Sequence, residues 1–146
     1  MDMTGEERIA APRDAVWAAL NDPEILKACI PGCQSLTMKS PTELEATVKL
    51  KIGPVSASLS GEVTLSNLNP PESYTISGEG KGGIAGFAKG GAVVGLTDKD
   101  GGTLLSYNVE AQIGGKLAQL GQRLINGTAK KLADEFFAGF ARAVQG

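Results

Sequence analysis

The sequence predicts an α+β fold, in which a curved antiparallel sheet of about six to seven strands wraps around one long C-terminal helix, with two short helices after the first strand. Two observations carry this prediction. Between residues 34 and 113, apolar and polar residues alternate in several separate runs, which is the pattern of half-buried strands. From 116 to 144, apolar residues recur with the period of a helix. A chain of 146 residues has the size of one domain, so we expect a single domain over 1–146.

The segment before the sheet predicts one strand and two short helices. The strand covers 4–9, and Pro12 suits the first turn of the helix that follows, where its missing N–H is not needed. Asn21-Asp22-Pro23 ends that helix and caps a second one over 24–29. A Pro-Gly pair at 31–32 then ends the second helix.

The sheet is predicted from strands that have one apolar and one polar face. In 43–52 the even-numbered residues are apolar, and the odd-numbered ones are charged or polar. Gly53-Pro54 makes a turn, and the odd-numbered residues of 55–66 form the next apolar face. Further runs within 73–78, 88–96 and 105–113 complete the sheet, with turns at 69–72 and 98–102.

Residues 116–144 predict a single helix of about 40 Å, which is long enough to cross a sheet. Its bulky apolar residues form one arc, and most of its basic residues lie opposite. Small residues such as Gly121, Thr128 and Gly139 interrupt the apolar arc. We therefore expect close packing at some points of the helix and open space at others. Phe137 falls at the polar edge, where the pattern predicts no core role.

Composition excludes several classes of function. The chain contains no histidine, so Ser-His-Asp and Cys-His nucleophiles and His-based metal sites cannot form. Its net charge of −2 and its pI near 5.2 lack the basic excess of a nucleic-acid-binding protein. The acidic start and the lack of a long apolar run fit neither a signal peptide nor a membrane span. We therefore expect a cytoplasmic protein.

No catalytic, metal or cofactor site is predicted from the remaining reactive residues. Cys29 and Cys33 lie at the end of a short helix without further cysteines, and we interpret them as inert, reduced thiols. Glu7 shares strand parity with Ile9, but exposure at the sheet edge is the favoured interpretation. The basic residues of the long helix are interpreted as a solvated face, with a site for anionic lipid or an acidic partner as the alternative.

Glycine is the unusual feature of the composition, with 20 residues, several of them within 78–90. Residues 78–83 fit the spacing G-x-G-x-x-G, but strand-like sequence follows instead of the helix that a dinucleotide site requires. We predict close backbone packing in this segment. The alternative is that it forms the mouth of a cavity, with Phe87 as an apolar plug.

Three separated segments carry a family resemblance. They are Val16-Trp17 with Leu20-Asn21-Asp22-Pro23 and Cys29-Ile30-Pro31-Gly32-Cys33, the glycine-rich stretch 80–90, and the Gly-Gly-Lys-Leu entry of the long helix within 114–125. These segments resemble the family of the G subunit of carbon monoxide dehydrogenase over essentially the whole chain. The order of elements resembles the helix-grip fold of the Bet v 1 and START-like superfamily.

The resemblance implies an accessory protein rather than an enzyme. It implies that the protein carries a quinone-like lipid between helix and sheet and helps to couple a molybdenum hydroxylase of the carbon monoxide dehydrogenase type to the membrane. Contact with the subunits of that dehydrogenase, and peripheral contact with the inner face of the membrane, are expected from it. Some members reach the membrane through a C-terminal extension. This sequence ends at Gly146, so the resemblance leaves that mode of anchoring open.

The chamber between helix and sheet is expected to be apolar, because no inward position from Leu44 to Leu65 is ionisable. That favours a flat or elongated apolar ligand. A polyketide cyclase or hydrolase-type enzyme and a ligand-free assembly chaperone for a dehydrogenase are the alternatives. The residues expected to bind the ligand come from the inward faces of the helices and strands and from the glycine-rich segment: Trp17, Leu50, Leu59, Val63, Tyr74, Phe87, Tyr107, Leu120, Leu124 and Phe136.

Overall fold

The computed structural model describes residues 1–145, and Gly146 lies outside the described residues. Within this range the chain forms seven strands, three α-helices and two short 3₁₀ helices. In chain order they are β1 (Asp2–Ile9), α1 (Arg13–Leu20), α2 (Pro23–Cys29), β2 (Cys33–Ser40), β3 (Glu43–Ile52), β4 (Val55–Asn69), β5 (Ser73–Lys81), a 3₁₀ helix (Gly83–Ala85), β6 (Phe87–Lys99), β7 (Gly102–Gly114), a second 3₁₀ helix (Gly115–Leu120) and α3 (Gln122–Gln145).

All seven strands form one antiparallel sheet in the order β1-β7-β6-β5-β4-β3-β2. Strands β2 to β7 follow one another as a meander, and β1 pairs with β7 from Asp2 opposite Glu110 to Ile9 opposite Thr103. The sheet is therefore open, with β1 and β2 as its edges. Helices α1 and α2 connect one edge strand to the other, and α2 packs against both β2 and α3. The predicted fold class is confirmed.

Local sequence explains where the short helices begin. Asp22 caps α2, since its Oδ1 accepts a hydrogen bond from the backbone N–H of Glu24 at 2.9 Å. Pro23 follows at the start of α2, where its missing N–H leaves no hydrogen bond unmade. Pro12 is the N-cap of α1 rather than a residue of its first turn. Both helices thus begin within one residue of the predicted positions.

The long C-terminal helix begins later than the sequence predicts. Gly115–Leu120 form a 3₁₀ helix, and α3 begins at Gln122 instead of residue 116. The prediction is wrong here because Gly121 adopts a φ of +91°, a left-handed conformation that interrupts an α-helix and that glycine adopts without strain. Helix α3 is consequently 24 residues long, about 36 Å.

Two separate groups of apolar side chains hold the elements together. The larger group joins β1, α1, α2, the middle of the sheet and the C-terminal half of α3, with Val16 and Phe140 fully buried. The smaller group lies beneath the two 3₁₀ helices, where Ala57, Ala85 and Leu117 are buried. Helix α3 thus covers one part of the sheet through the larger group, and the 3₁₀ helices cover another part through the smaller group.

Glycine allows neighbouring strands to approach closely. Gly61 on β4 lies opposite Gly80 on β5, and a Cβ on Gly61 would overlap the backbone carbonyl oxygen of Glu79. Gly90, whose φ is +157°, lies equally close to the backbone of Glu110. Backbone atoms fill the space that a side chain would take, so these positions need glycine.

Gly61→Ala is expected to destabilise the protein by about 2–3 kcal/mol, because the added methyl group requires two paired backbones to separate. Chemical denaturation followed by circular dichroism measures this change. Gly127→Ala is the matched control, since Gly127 lies in α3 with open space around it. There the substitution is expected to stabilise the protein by about 0.5–1 kcal/mol. Equal effects of the two substitutions would contradict the close contact at Gly61.

Candidate ligand-binding cavity

A cavity of about 360 Å³, partly open to solvent, lies between α3 and the inward face of the sheet. All seven strands, the α1–α2 region and the C-terminal half of α3 contribute to its wall. The lining consists of Met3, Leu20, Asn21, Leu26, Ile30, Leu36, Met38, Leu44, Ala46, Val63, Leu65, Tyr74, Ile76, Ala92, Val94, Leu105, Tyr107, Val109, Ala133, Phe136 and Phe137.

The lining is almost entirely apolar. Its polar side chains are Asn21, Tyr74 and Tyr107, and no Asp, Glu, Lys or Arg of the described chain belongs to it. Asn21 is already engaged, since its Nδ2 donates a hydrogen bond to the backbone carbonyl of Trp17 at 2.9 Å. An ionised ligand group would lose its hydration here without gaining a counter-charge. The cavity therefore favours a neutral, apolar molecule.

Tyr74, on β5, is buried against Trp17 and borders the cavity. The ring centroids are 5.3 Å apart and the planes meet at 79°, an edge-to-face arrangement that aromatic pairs prefer. Burial raises the pKa of Tyr74 to about 12, so the hydroxyl keeps its proton throughout the neutral pH range. Tyr74 belongs to the cavity lining, and its protonated hydroxyl can donate a hydrogen bond to a ligand there.

Tyr107, on β7, lies between β1 and α3. Its ring covers Gly5, its partner in the sheet register, so closely that a Cβ on Gly5 would overlap the phenolic oxygen. The ring also stacks on Phe137, with centroids 5.4 Å apart. Burial raises the pKa of Tyr107, and the nearby carboxylates of Glu7 and Asp134 raise it further. This hydroxyl is also a neutral donor.

The helix side of the cavity is aromatic. Phe136 and Phe137 line it, and Phe136 stacks on the buried Phe140 with centroids 5.6 Å apart. The sequence predicts no core role for Phe137, and this prediction is wrong. Phe137 lies at the edge of the apolar arc of α3, but the β1–β7 side of the sheet reaches that edge and presents Tyr107 to it.

A second cleft, of about 200 Å³, adjoins the cavity between the N-terminal end of β1 and the first half of α3. Met3 and Tyr107 line both spaces. The cleft is more polar than the cavity, because its wall includes Asp2, Thr4, Asn126 and Lys130. A ligand in the cavity can therefore hold a polar end near Tyr107 while its apolar part stays among aliphatic side chains.

Four of the ten residues predicted to bind a ligand line the cavity: Val63, Tyr74, Tyr107 and Phe136. Trp17 is not part of the lining, but its ring packs edge-to-face on Tyr74. That these residues contact a ligand stays a prediction.

The other five predicted residues lie outside the cavity. The period-two pattern identifies the inward face of a strand but not how far the open space extends along it. The two 3₁₀ helices cover the part of the inward face that lies beyond the cavity. Residues in that part pack against the 3₁₀ helices or are exposed to solvent. Leu59 and Leu120 pack on the smaller apolar group, Leu50 borders a surface cleft, and Phe87 and Leu124 are partly exposed.

The glycine-rich segment does not form the mouth of the cavity. No residue of 78–90 belongs to the lining, and Phe87 packs against Gly114 instead. The alternative role of Phe87 as a plug is therefore wrong. Close backbone packing explains these glycines better.

Sequence reasoning missed the wall that α1, α2 and β2 provide. Leu20, Leu26 and Ile30 close the cavity on the helical side, and Leu36 and Met38 do so on β2. The sequence does indicate that the β2 residues point inward, since they alternate with Ser35, Thr37 and Lys39. Helix α2 gives no such indication, because seven residues show too little helical period.

The reactive residues outside the cavity form no further site. Cys29 is a buried free thiol whose pKa is raised, mainly by burial, which disfavours the reactive thiolate. The Sγ of Cys33 donates to the backbone carbonyl of Ser35 at 3.4 Å. Glu7 is half-buried on the same face as Ile9, contrary to the expected exposure. Residues 1–145 contain no group of three or more acidic or cysteine side chains placed to hold a metal ion.

The sequence matches the family model for the G subunit of carbon monoxide dehydrogenase (CoxG) over residues 5–145. The chain belongs to the CoxG family. A conserved protein from Geobacillus kaustophilus is similar to this CoxG-family chain, with a TM-score of 0.93, 32% identity, and coverage of 99% of this chain and 95% of the other. Comparison with curated proteins found no match.

More distant structures share the fold of the CoxG-family chain. A START superfamily protein from Mycobacterium smegmatis has a TM-score of 0.74 at 12% identity and covers 99% of this chain and 97% of its own. A protein from Thermus thermophilus has a TM-score of 0.73 at 13% identity, with 99% and 97% covered. The fold is START-like. Within residues 1–145, none of the helices has the length and hydropathy to cross a membrane.

Proposed function

We propose that this CoxG-family protein is a single-domain carrier of an apolar, quinone-like lipid, and an accessory protein rather than an enzyme. The observation that carries the proposal is the cavity of about 360 Å³, whose wall includes no acidic or basic side chain of residues 1–145. Its volume lies in the range of about 300–1,000 Å³ that is typical of small-molecule sites. The family name, a subunit of carbon monoxide dehydrogenase, supports the accessory role.

The lining suits a neutral ring that carries an aliphatic tail. Most of the cavity wall consists of aliphatic and aromatic side chains, and each CH₂ group that leaves water contributes about 0.8 kcal/mol. A long isoprenoid tail exceeds this volume, and its remainder leaves through the open side. The protein therefore binds the ring and the first part of the tail most strongly.

The two tyrosines supply the hydrogen bonds that a quinone needs. Quinone carbonyl oxygens accept hydrogen bonds and carry no charge, so they match neutral donors in an apolar wall. The raised pKa values of Tyr74 and Tyr107 keep both hydroxyls protonated. Tyr107 also borders the polar cleft, and we assign the ring of the ligand to that end of the cavity.

The carrier links the membrane to its partner enzyme. A quinone with a long tail partitions into the bilayer, so a carrier must meet the membrane surface to exchange it. We propose that the partner is a molybdenum hydroxylase of the carbon monoxide dehydrogenase type. In this proposal the protein acts in the cytoplasm and is peripheral at the inner face of the membrane.

Native mass spectrometry of the purified protein, followed by organic extraction and quinone analysis, tests the proposal. A copurified quinone, or a rise in melting temperature with menaquinone or ubiquinone analogues, is the expected result. If no quinone copurifies and no analogue stabilises the protein, the ligand-free assembly chaperone becomes the better assignment.

Tyr107→Phe is expected to weaken binding of a short-tailed quinone about 3- to 10-fold, because one neutral hydrogen bond is lost. Titration calorimetry measures the affinity. The matched control is a ligand of the same ring system without carbonyl groups, whose affinity is expected to be unchanged. A similar loss for both ligands would mean that Tyr107 acts by packing alone.

A polyketide cyclase or hydrolase-type enzyme is supported less well. Such an enzyme needs a cavity group that gains or loses a proton near neutral pH. The described part of the lining offers no carboxylate or amine, and the pKa values of both tyrosines are moved away from neutrality. Turnover of an aromatic polyketide or a thioester that disappears in Tyr107→Phe would reverse this preference.

A further inference from the structure

Three segments meet at the end of the molecule where β3 turns into β4. The two 3₁₀ helices contact each other there and share the buried Ala57, Ala85 and Leu117. The side chain of Leu124, at the start of α3, reaches Gly53 in the β3–β4 turn. We call this end the tip and define it as residues 51–56, 81–87 and 114–124.

Large apolar side chains are exposed on the tip. Ile84 is 82% exposed, and Phe87 and Leu124 are each 39% exposed. Ile84 lies between Gly83 and Ala85 in a three-residue 3₁₀ helix, so its chain neighbours are too small to cover it. A group of exposed apolar side chains with a polar rim is typical of an interaction surface.

The segments that carry these apolar side chains are also rich in basic residues. The segments that build the tip and lead into it, 49–58, 80–89 and 111–133, contain eight of the 14 basic residues and none of the 16 acidic ones. The chain as a whole has a net charge of −2, so the rest of the molecule is strongly acidic. Positive charge is therefore concentrated where the apolar side chains are exposed.

Most of this positive charge is not neutralised within the protein. Glu79 and Asp134 border the basic segments and pair with Lys81 at 3.3 Å and Lys130 at 3.1 Å. Besides Lys81, the tip contains the basic residues Lys51, Lys116 and Arg123. These three form no ion pair within the described residues. These cations are available to an anionic surface.

We infer that the tip docks on a lipid bilayer with anionic headgroups, an inference that rests on the proposed function because a carrier must reach the membrane to exchange its ligand. Ile84 enters the headgroup region, and the basic residues attract the anionic lipid. An acidic protein surface fits less well, because lysine is depleted at protein interfaces and three of the four basic residues of the tip are lysines.

Sedimentation of the full chain with vesicles tests this inference. Vesicles of phosphatidylcholine alone are compared with vesicles in which about one third of the lipid is phosphatidylglycerol. The protein is expected to bind the anionic vesicles at least about tenfold more tightly. Ile84→Asp is expected to weaken this binding about tenfold. The double variant Lys116→Gln, Arg123→Gln is expected to weaken it about 25-fold, since each basic residue near the surface contributes about fivefold.

Matched substitutions outside the tip control for charge and folding. Val93→Asp removes another exposed apolar side chain, on β6. The double variant Lys27→Gln, Lys99→Gln removes the same charge from other exposed positions. The affinity of both control variants for anionic vesicles is expected to stay within about threefold of the wild-type affinity. Absence of binding to either vesicle, or equal losses in tip and control variants, would overturn the inference. The inference would also be overturned if Ile84→Asp abolished binding to the dehydrogenase but left binding to anionic vesicles unchanged. The tip would then be a protein interface.

A short-tailed quinone analogue separates this inference from the proposed function. The tip lies outside the cavity lining, so its variants are expected to keep the wild-type affinity for the analogue. Quinone binding without vesicle binding would refute the role of the tip alone. Vesicle binding without quinone binding would refute the carrier proposal and leave a membrane-docking protein.

Discussion

Ala133→Phe is expected to weaken binding of a short-tailed quinone analogue about 100-fold while the protein stays folded. Ala133 lies on α3 and lines the cavity together with Phe136 and Phe137. A phenyl ring at this position extends into the cavity and displaces several CH₂ groups of the ligand, each worth about 0.8 kcal/mol. Trp17 is the single tryptophan of the chain and contacts Tyr74, so quenching of its fluorescence by the analogue measures the affinity.

Ala138→Phe is the matched control, because Ala138 is exposed on the same helix. It adds the same side chain outside the cavity, and the affinity is expected to stay within about twofold of the wild type. Thermal unfolding of both variants separates a blocked cavity from a misfolded protein. Wild-type affinity in a folded Ala133→Phe protein would mean that the ligand binds elsewhere and that the carrier proposal lacks its site.

The faces of the strands were predictable from the sequence because the two-residue period of a strand is a local property. Leu44, Val63, Tyr74 and Tyr107 lie on the inward face as that period predicts, and all four line the cavity. The absence of ionisable residues from these inward positions could also be read directly from the sequence. The chemical character of the site was therefore accessible before its position was.

The extent of the cavity was not predictable, because it depends on contacts between distant segments. Leu50 and Leu59 have the same strand phase as Leu44 and Val63, but the far part of the inward face is covered by the two 3₁₀ helices. One of these 3₁₀ helices, Gly115–Leu120, is separated from α3 by Gly121, where φ is +91°. A continuous hydrophobic period through 116–144 predicts an unbroken helix and so hides this break.

Phe137, on α3, is a second residue whose environment depends on distant segments and could not be predicted from the local pattern. Its position at the edge of the apolar arc predicts a polar environment, whereas its environment is set by Tyr107, 30 residues earlier in the sequence and 5.4 Å away between ring centroids. The contact also depends on Gly5, which leaves room for the Tyr107 ring. A local pattern cannot encode a contact that involves three separate elements.

Phe140→Ala is expected to destabilise the protein by about 4 kcal/mol and to lower its melting temperature by about 10 °C. The side chain is fully buried, and it stacks on Phe136 with centroids 5.6 Å apart. It belongs to the apolar group that joins α3 to α1, α2 and the sheet. Removing it leaves a cavity that the surrounding rigid elements cannot close, and calorimetry or chemical denaturation measures the cost.

Phe87→Ala makes the same chemical change at a side chain that is 39% exposed, and it is expected to cost about 1 kcal/mol or less. The difference in unfolding free energy between the two variants separates the effect of burial from the intrinsic effect of losing a phenyl ring. If Phe140→Ala costs no more than Phe87→Ala, α3 is not held to the larger apolar group through this residue. In that case α3 is anchored mainly by its contacts around the cavity, and bound ligand would then be needed to hold it against the sheet.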